Sequence, residues 1–388
     1  MRRSITLAIC GTLATLLLAA SGMAQQPPAP RIVDLTAKDG TKLKASFFAA
    51  AKPGPGVIML HQCNRQRKVW DELAGNLAAS GISVVTLDFR GFGDSGGTPL
   101  NKLTPAEAAR DMADVWPGDV DLALQYLEAQ PGVSHEFIGA GGASCGVNQA
   151  VQLARRHAEV KSLALLSEGT DRAGREFLRQ SPNLPLFMAV ADDDPDPGVV
   201  GIMQWLGDLS PDPMNKLVHY SNGRHGVEMF AAHPELPGMI VDWFLATLKN
   251  PASAPLNRAA GAMSAESKFL ELTDQPDGIG KAAALFAEER QRDPKSQFFA
   301  EIVVNRIGYE HMLAGDKKGA IELFKINVAA FPTSPNAYDS LGDAYLADGQ
   351  KELARENAKK TLELLATDTV DNQTQKDGIK ANAESKLK

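Results

Sequence analysis

Phe137-Ile138-Gly139-Ala140-Gly141-Gly142-Ala143-Ser144-Cys145-Gly146 runs from a strand-like segment into Gly-x-Ser-x-Gly, and the helix-patterned stretch Asn148–His157 follows. Strand, tight turn and helix in that order make Gly-x-Ser-x-Gly a turn that presents a nucleophile rather than a chance match. Such a turn holds the presented residue in strained backbone geometry. The residues two before and two after it must therefore be small enough to clear the neighbouring strand and helix. Gly142 and Gly146 meet that need around Ser144. Cys145 is the competing nucleophile, but its corresponding neighbours would be Ala143 and Val147, and the branched Val147 would crowd the turn. Ser144 is the expected nucleophile.

Around this turn, residues 32–248 alternate short β-branched apolar runs with longer amphipathic stretches. The runs are Val57–Leu60, Ser83–Leu87, Phe137–Gly139, Leu163–Leu166, Leu186–Val190 and Leu217–Tyr220. That rhythm predicts an α/β fold with a mostly parallel sheet and helices on both faces. Small residues and two prolines in Lys249-Asn250-Pro251-Ala252-Ser253-Ala254-Pro255 break the pattern, and residues 249–264 read as a linker. A chain ended near Lys249 is accordingly expected to stay soluble. Residues 265–388 carry a 34-residue spacing, pairing Gly308 with Gly342, Gly315 with Gly349, Lys317 with Lys351 and Ala320 with Ala354. This is the tetratricopeptide period and predicts an all-α domain of helix pairs. Fewer than three full repeats are present, so the array is expected to lean on the sheet or on extra helices for burial.

Two further loops stand before the turn: Asp88-Phe89-Arg90-Gly91-Phe92-Gly93-Asp94-Ser95-Gly96-Gly97 after one strand, and His61-Gln62-Cys63 after the strand before it. With these loops and the Ser144 turn, residues 32–248 resemble the α/β-hydrolase family, in its dienelactone-hydrolase-like and esterase branches. The resemblance implies a serine hydrolase with its catalytic groups in the chain order Ser, acid, His. The family's acid loop matches Asp192-Asp193-Asp194-Pro195, with Asp194 the best match and Asp193 next. Glu168 or Asp171, after the preceding strand, is the alternative placement that some branches use. Of the four histidines beyond Asp194, His219 falls inside a strand, His233 enters the last helix of the sheet region and His311 lies among the repeats. His225, in the loop Ser221–Gly226, is the expected general base. The oxyanion hole would use the backbone N–H of Cys145 with that of Gln62 or Cys63. Gln62 departs from the Gly that the family usually has there, which narrows the oxyanion loop. Because both loops supply the hole, Cys63 and Cys145 should come close enough for a possible disulfide. Only 17 residues separate the strands before and after Glu168 and Asp171, too few for a large helical lid, so an open pocket and small acyl substrates are expected.

The remaining features bound the partners and the compartment. A formal charge of −7 leaves no basic surface for phosphates, so nucleic acid is not an expected partner. No His/Cys/Asp/Glu cluster has metal-ligand spacing, and no metal or cofactor is implied. Arg2 and Arg3, the apolar run Ile5–Ala20 and small residues ending at Ala24 read as a cleavable signal peptide over residues 1–24, predicting a periplasmic or secreted protein with no membrane span left. Two cysteines then remain in a compartment where disulfides persist. The competing reading is a catalytically inactive hydrolase fold that binds a peptide or protein partner through its helical repeats.

Overall fold

The computed structural model describes residues 29–249 and 263–388. The signal-peptide reading and most of the linker fall outside the described residues. Eight strands form one sheet: β1 (Arg31–Thr36), β2 (Lys42–Phe48), β3 (Gly54–Leu60), β4 (Ser83–Leu87), β5 (Val133–Ala143), β6 (Val160–Leu166), β7 (Leu186–Ala191) and β8 (Lys216–Tyr220). Their order is β1-β2-β4-β3-β5-β6-β7-β8. β2 is antiparallel to β1 and to β4, whereas every pairing from β4 through β8 is parallel. Six of these strands lie on the apolar runs. β1 and β2 were not among them, because this edge hairpin alternates polar and apolar residues instead of forming a continuous run, and its exposed Asp39-Gly40 turn is the signal that would have found it.

The sheet region carries α1 (Asp71–Ala79), α2 (Pro105–Arg110), α3 (Trp116–Glu128), α4 (Cys145–Arg156), α5 (Arg172–Arg179), α6 (Val199–Leu209), α7 (Met229–Ala232) and α8 (Leu236–Phe244). Successive side chains of a strand point to opposite faces, and β3 shows how this builds two layers. Val57 and Met59 join the buried cluster of Leu73 and Leu77 from α1 with Ile240 and Phe244 from α8. Ile58 and Leu60 join Val120 and Leu124 from α3 with Val147 and Val151 from α4. The chain is thus α/β, with a mostly parallel sheet covered on both faces and an all-α region after it.

That second region comprises α9 (Ala265–Asp274), α10 (Ile279–Arg292), α11 (Glu301–Leu313), α12 (Lys317–Ala330), α13 (Pro335–Ala347), α14 (Lys351–Leu365) and α15 (Gln373–Lys386). The pairs α11–α12 and α13–α14 begin 34 residues apart, and the aligned small residues Ala320 and Ala354 are both fully buried where the pairs meet.

The helical region leans on the sheet, as its short repeat array was expected to need, and the extent of the contact speaks against a chain ended near Lys249 staying soluble. Phe269 and Leu270 of α9, Phe299, and Val303 and Val304 of α11 belong to the same buried cluster as Leu165, Met188 and Leu206. Ion pairs reinforce the join. The Arg175 guanidinium, 3% exposed, holds both carboxylate oxygens of Asp274 at 2.6 and 2.8 Å and reaches Glu310. Arg179 grips Glu271 at 2.8 Å through two nitrogens, and the Trp205 indole N–H donates to the same carboxylate at 3.0 Å. Burial opposes the charge on Arg175, but the paired carboxylates outweigh it and raise its pKa. The composition of the linker marked a break in the chain; it carried no information about what the following helices cover.

Candidate active site

Ser144 is the single residue between the end of β5 and the start of α4, with φ 51° and ψ −128°. A non-glycine residue at positive φ is rare and strained, of order 1–3 kcal/mol, and persists only where its surroundings over-determine it. Here they do. The Ser144 N–H donates to the Leu166 carbonyl of β6 at 2.9 Å, and its carbonyl accepts from the Val147 N–H at 2.7 Å. Both flanking glycines are sterically required: a Cβ on Gly142 would lie 2.1 Å from the Gly146 carbonyl oxygen, and one on Gly146 would lie 2.4 Å from that of Leu60.

Three adjacent aspartates follow β7, and the structure gives each a different partner. Asp192 accepts from the exposed His219 ring at 2.6 Å, and Asp193 accepts the Arg224 backbone N–H at 2.7 Å. Asp194, whose side chain is wholly buried, faces His225 Nδ1 with both oxygens at 2.9 Å. The alternative acids are engaged elsewhere. Glu168 accepts from Arg306 at 2.7 Å, and Asp171 caps α5 by accepting the Gly174 N–H at 2.8 Å. The other downstream histidines also lie away from Asp194: His233 bonds the Asn222 carbonyl, and His311 lies between Asp316 and the Thr273 carbonyl.

For His225, burial opposes protonation, but the hydrogen bond and charge of Asp194 outweigh it, with Glu168 and Asp196 adding to the effect, so its pKa is raised above the ordinary imidazole value. The His225 turn is brought beside the Ser144 turn by Gly226, at φ 60°: a Cβ there would lie 3.3 Å from the Ala143 Cβ, directly before Ser144.

The His61-Gln62-Cys63 loop forms the other wall. His61 is fully buried, accepts the Phe89 N–H on Nε2 at 3.1 Å and donates from Nδ1 to the Gln62 carbonyl at 2.8 Å. Burial depresses its pKa, which keeps it in the neutral form that this pair of bonds requires. Cys63 and Cys145 are joined by a disulfide with Cα atoms 5.9 Å apart, tying this loop to the first residue of α4. A cleft of about 890 Å³ opens beside Cys63, lined in part by Asn64, Lys68, Phe92 and Leu100.

Two positioning side chains escaped the sequence reading. Gln62 is fully buried, and its Oε1 accepts the Val227 N–H at 2.9 Å while its Nε2 donates to Asn64 at 2.8 Å. It therefore couples the His61-Gln62-Cys63 loop to the turn that carries His225. A Cβ on Gly226 would fall 2.4 Å from Gln62 Oε1, so the glycine and the glutamine fit one another. The departure from Gly at position 62 is the sequence signal for this contact. Arg67, also buried, pairs with Asp88 and donates to Asp94 at 2.8 Å and to Ser46 at 3.0 Å, anchoring the glycine-rich loop after β4. Nothing local in the sequence marks Arg67.

No family model matches the chain. It is similar to a thiohydrolase of Aspergillus aculeatus, 25% identical over 228 residues, covering 56% of this chain and 64% of that protein. An acyltransferase of Aspergillus calidoustus is 24% identical over 218 residues, covering 56% of this chain and 66% of its own length. The chain thus spans less than two thirds of either relative. Among solved structures, a dienelactone hydrolase from Anabaena variabilis aligns with 57% of this chain and 99% of its own, at a TM-score of 0.43 and 18% identity.

Proposed function

We propose that this protein is an exported serine hydrolase that cleaves an ester, lactone or similar acyl bond through an acyl-enzyme on Ser144. The observation that carries the reading is the strained Ser144 turn at the end of the sheet where Asp194 holds His225 Nδ1. In the mechanism, His225 Nε2 takes the Ser144 proton as Oγ attacks the acyl carbonyl, and it returns that proton to the leaving group. Asp194 fixes the imidazole tautomer and stabilises the imidazolium. The oxyanion is held by the Cys145 N–H, at the positive end of α4, and by the Gln62 or Cys63 N–H. Each such donor is worth roughly 3 kcal/mol. Water on the same His225 then releases the acid. The thiohydrolase relative brings thioesters into the range of acyl donors to be assayed. Labelling by a fluorophosphonate probe, with Ser144→Ala as the control, tests the reading: labelling on Ser144 is expected, and its absence would refute it.

The raised His225 pKa sets a pH dependence. Only neutral imidazole accepts the serine proton, so kcat/KM should fall as pH drops through the His225 pKa. This acid limb is expected above the ordinary imidazole value of about 6.5. Asp194→Asn removes the group chiefly responsible and should move the limb down while turnover falls.

The disulfide supports the exported reading, because such bonds persist in oxidising compartments. It closes a separation of 82 residues, for which chain entropy gives about 4.5 kcal/mol of stabilisation. Treatment with a dithiol should therefore lower the melting temperature by several degrees. It should also lower turnover, since the Cys145 N–H loses its tie to the facing loop. A melting curve indifferent to reduction would contradict this.

A further inference from the structure

We infer that Arg306, on α11 of the helical region, is a positioning residue for the catalytic acid loop, and that the helical region therefore completes the active site rather than decorating it. This rests on the serine-hydrolase reading above. Arg306 Nη1 donates to Glu168 Oε1 at 2.7 Å, and its Nη2 lies 3.9 Å from Asp196 Oδ2. Each of these carboxylates is wired to the catalytic groups. Glu168 follows β6 two residues after Leu166, whose carbonyl holds the Ser144 N–H, and its Oε1 also accepts the Gly169 N–H at 2.9 Å. Asp196 donates its backbone N–H to Asp194 Oδ1 at 2.9 Å, and its own Oδ1 accepts from Gly198 N–H at 3.2 Å. One helical turn before Arg306, Val303 presses on the same loop: a Cβ on Gly198 would lie 2.3 Å from Val303 Cγ2. α11 thus holds the ends of two catalytic loops with one guanidinium and one apolar side chain.

The charges around His225 give this arrangement an electrical role. His225 faces Asp194 from the acid loop, with Asp196 behind it and Glu168 from the loop after β6. On its own turn, Glu228 is taken up by Arg65 at 2.7 Å and Arg224 at 3.2 Å, and Asp193 by the Arg224 backbone N–H. Arg306 is the cation set against Glu168 and Asp196 together. Without it, two carboxylates would act on the imidazole unopposed, favour its protonated form and withdraw the neutral base at higher pH. Like charges on the two loops would also lose the group that draws them together.

The test is the rate of fluorophosphonate labelling as a function of pH, which reports activation of the serine without knowledge of the natural substrate. In the full-length protein, Arg306→Met should move the acid limb of labelling up by half a pH unit or more. Arg306→Lys should restore much of the shift, and Glu168→Gln combined with Arg306→Met should return the limb towards wild type. A folded Arg306→Met protein whose limb is unmoved would overturn the inference. So would one that labels more slowly at every pH with the limb in place, since that is the behaviour of a structural contact alone. If the wild-type protein is not labelled, or Ser144→Ala is labelled equally, the serine-hydrolase reading itself fails and takes this inference with it.

Discussion

Ser144→Ala should lower turnover of an acyl ester on the order of 10⁵-fold to 10⁶-fold, with the fold unchanged. The substitution removes only a hydroxyl. The main-chain bonds that hold the turn, from Ser144 N–H to Leu166 and from Val147 N–H to the Ser144 carbonyl, remain. Circular dichroism and the melting temperature should therefore stay near wild type while activity is lost. His225→Ala should be comparably damaging, and the double variant little worse than either, because nucleophile and base act as one unit and their losses do not add. Asp194→Asn should cost less, about 10⁴-fold, since it disturbs the tautomer rather than removing a reacting group. Near-normal turnover by Ser144→Ala would sink the mechanism. If Glu168→Gln proved more damaging than Asp194→Asn, the acid would have to be reassigned.

The second large effect concerns the join between the two regions. A chain ending at Lys249 should be recovered unfolded or aggregated. Truncation there removes Asp274 and Glu310 from the nearly buried Arg175, and Glu271 from Arg179 and Trp205. Breaking a buried ion pair by deleting one side alone costs roughly 3–5 kcal/mol, a large share of the stability of an ordinary domain. The exposed remainder of the shared core, where Phe269, Phe299 and Val303 had been buried, adds to that. Asp274→Ala in the full chain isolates the electrostatic part and should lower the melting temperature while leaving the chain soluble. A soluble 1–249 chain that melts cooperatively would refute the single-core reading.

These two cases show what a sequence displays and what it hides. The turn at Ser144 is legible because its requirements fall on adjacent positions: small residues two before and two after, a strand behind and a helix ahead. The spacing of 34 residues is legible for a similar reason, since each helix pair repeats the same local contacts. Asp194 could be preferred among three aspartates only through its place in a family loop, and the structure separates the three by partner. Gln62, Arg67 and Arg306 were hidden because each acts through a partner remote in the chain. Gln62 meets Val227 across 165 residues, and Arg306 meets Glu168 across 138. No periodicity records such a pairing, and a buried arginine such as Arg67 looks like any surface arginine until its carboxylates are located.

The separation between Arg175 and its partners also sets an order of assembly. A chain delivered from its N-terminus exposes Arg175 ahead of Asp274 by 99 residues and ahead of Glu310 by 135. Through that interval one flank of the nascent sheet carries an apolar surface studded with guanidinium groups and has nothing to close on. Cys63 and Cys145 have both been delivered by then. The covalent tie at the Ser144 turn lies wholly within the part delivered first, so it does not have to wait for the helical cover.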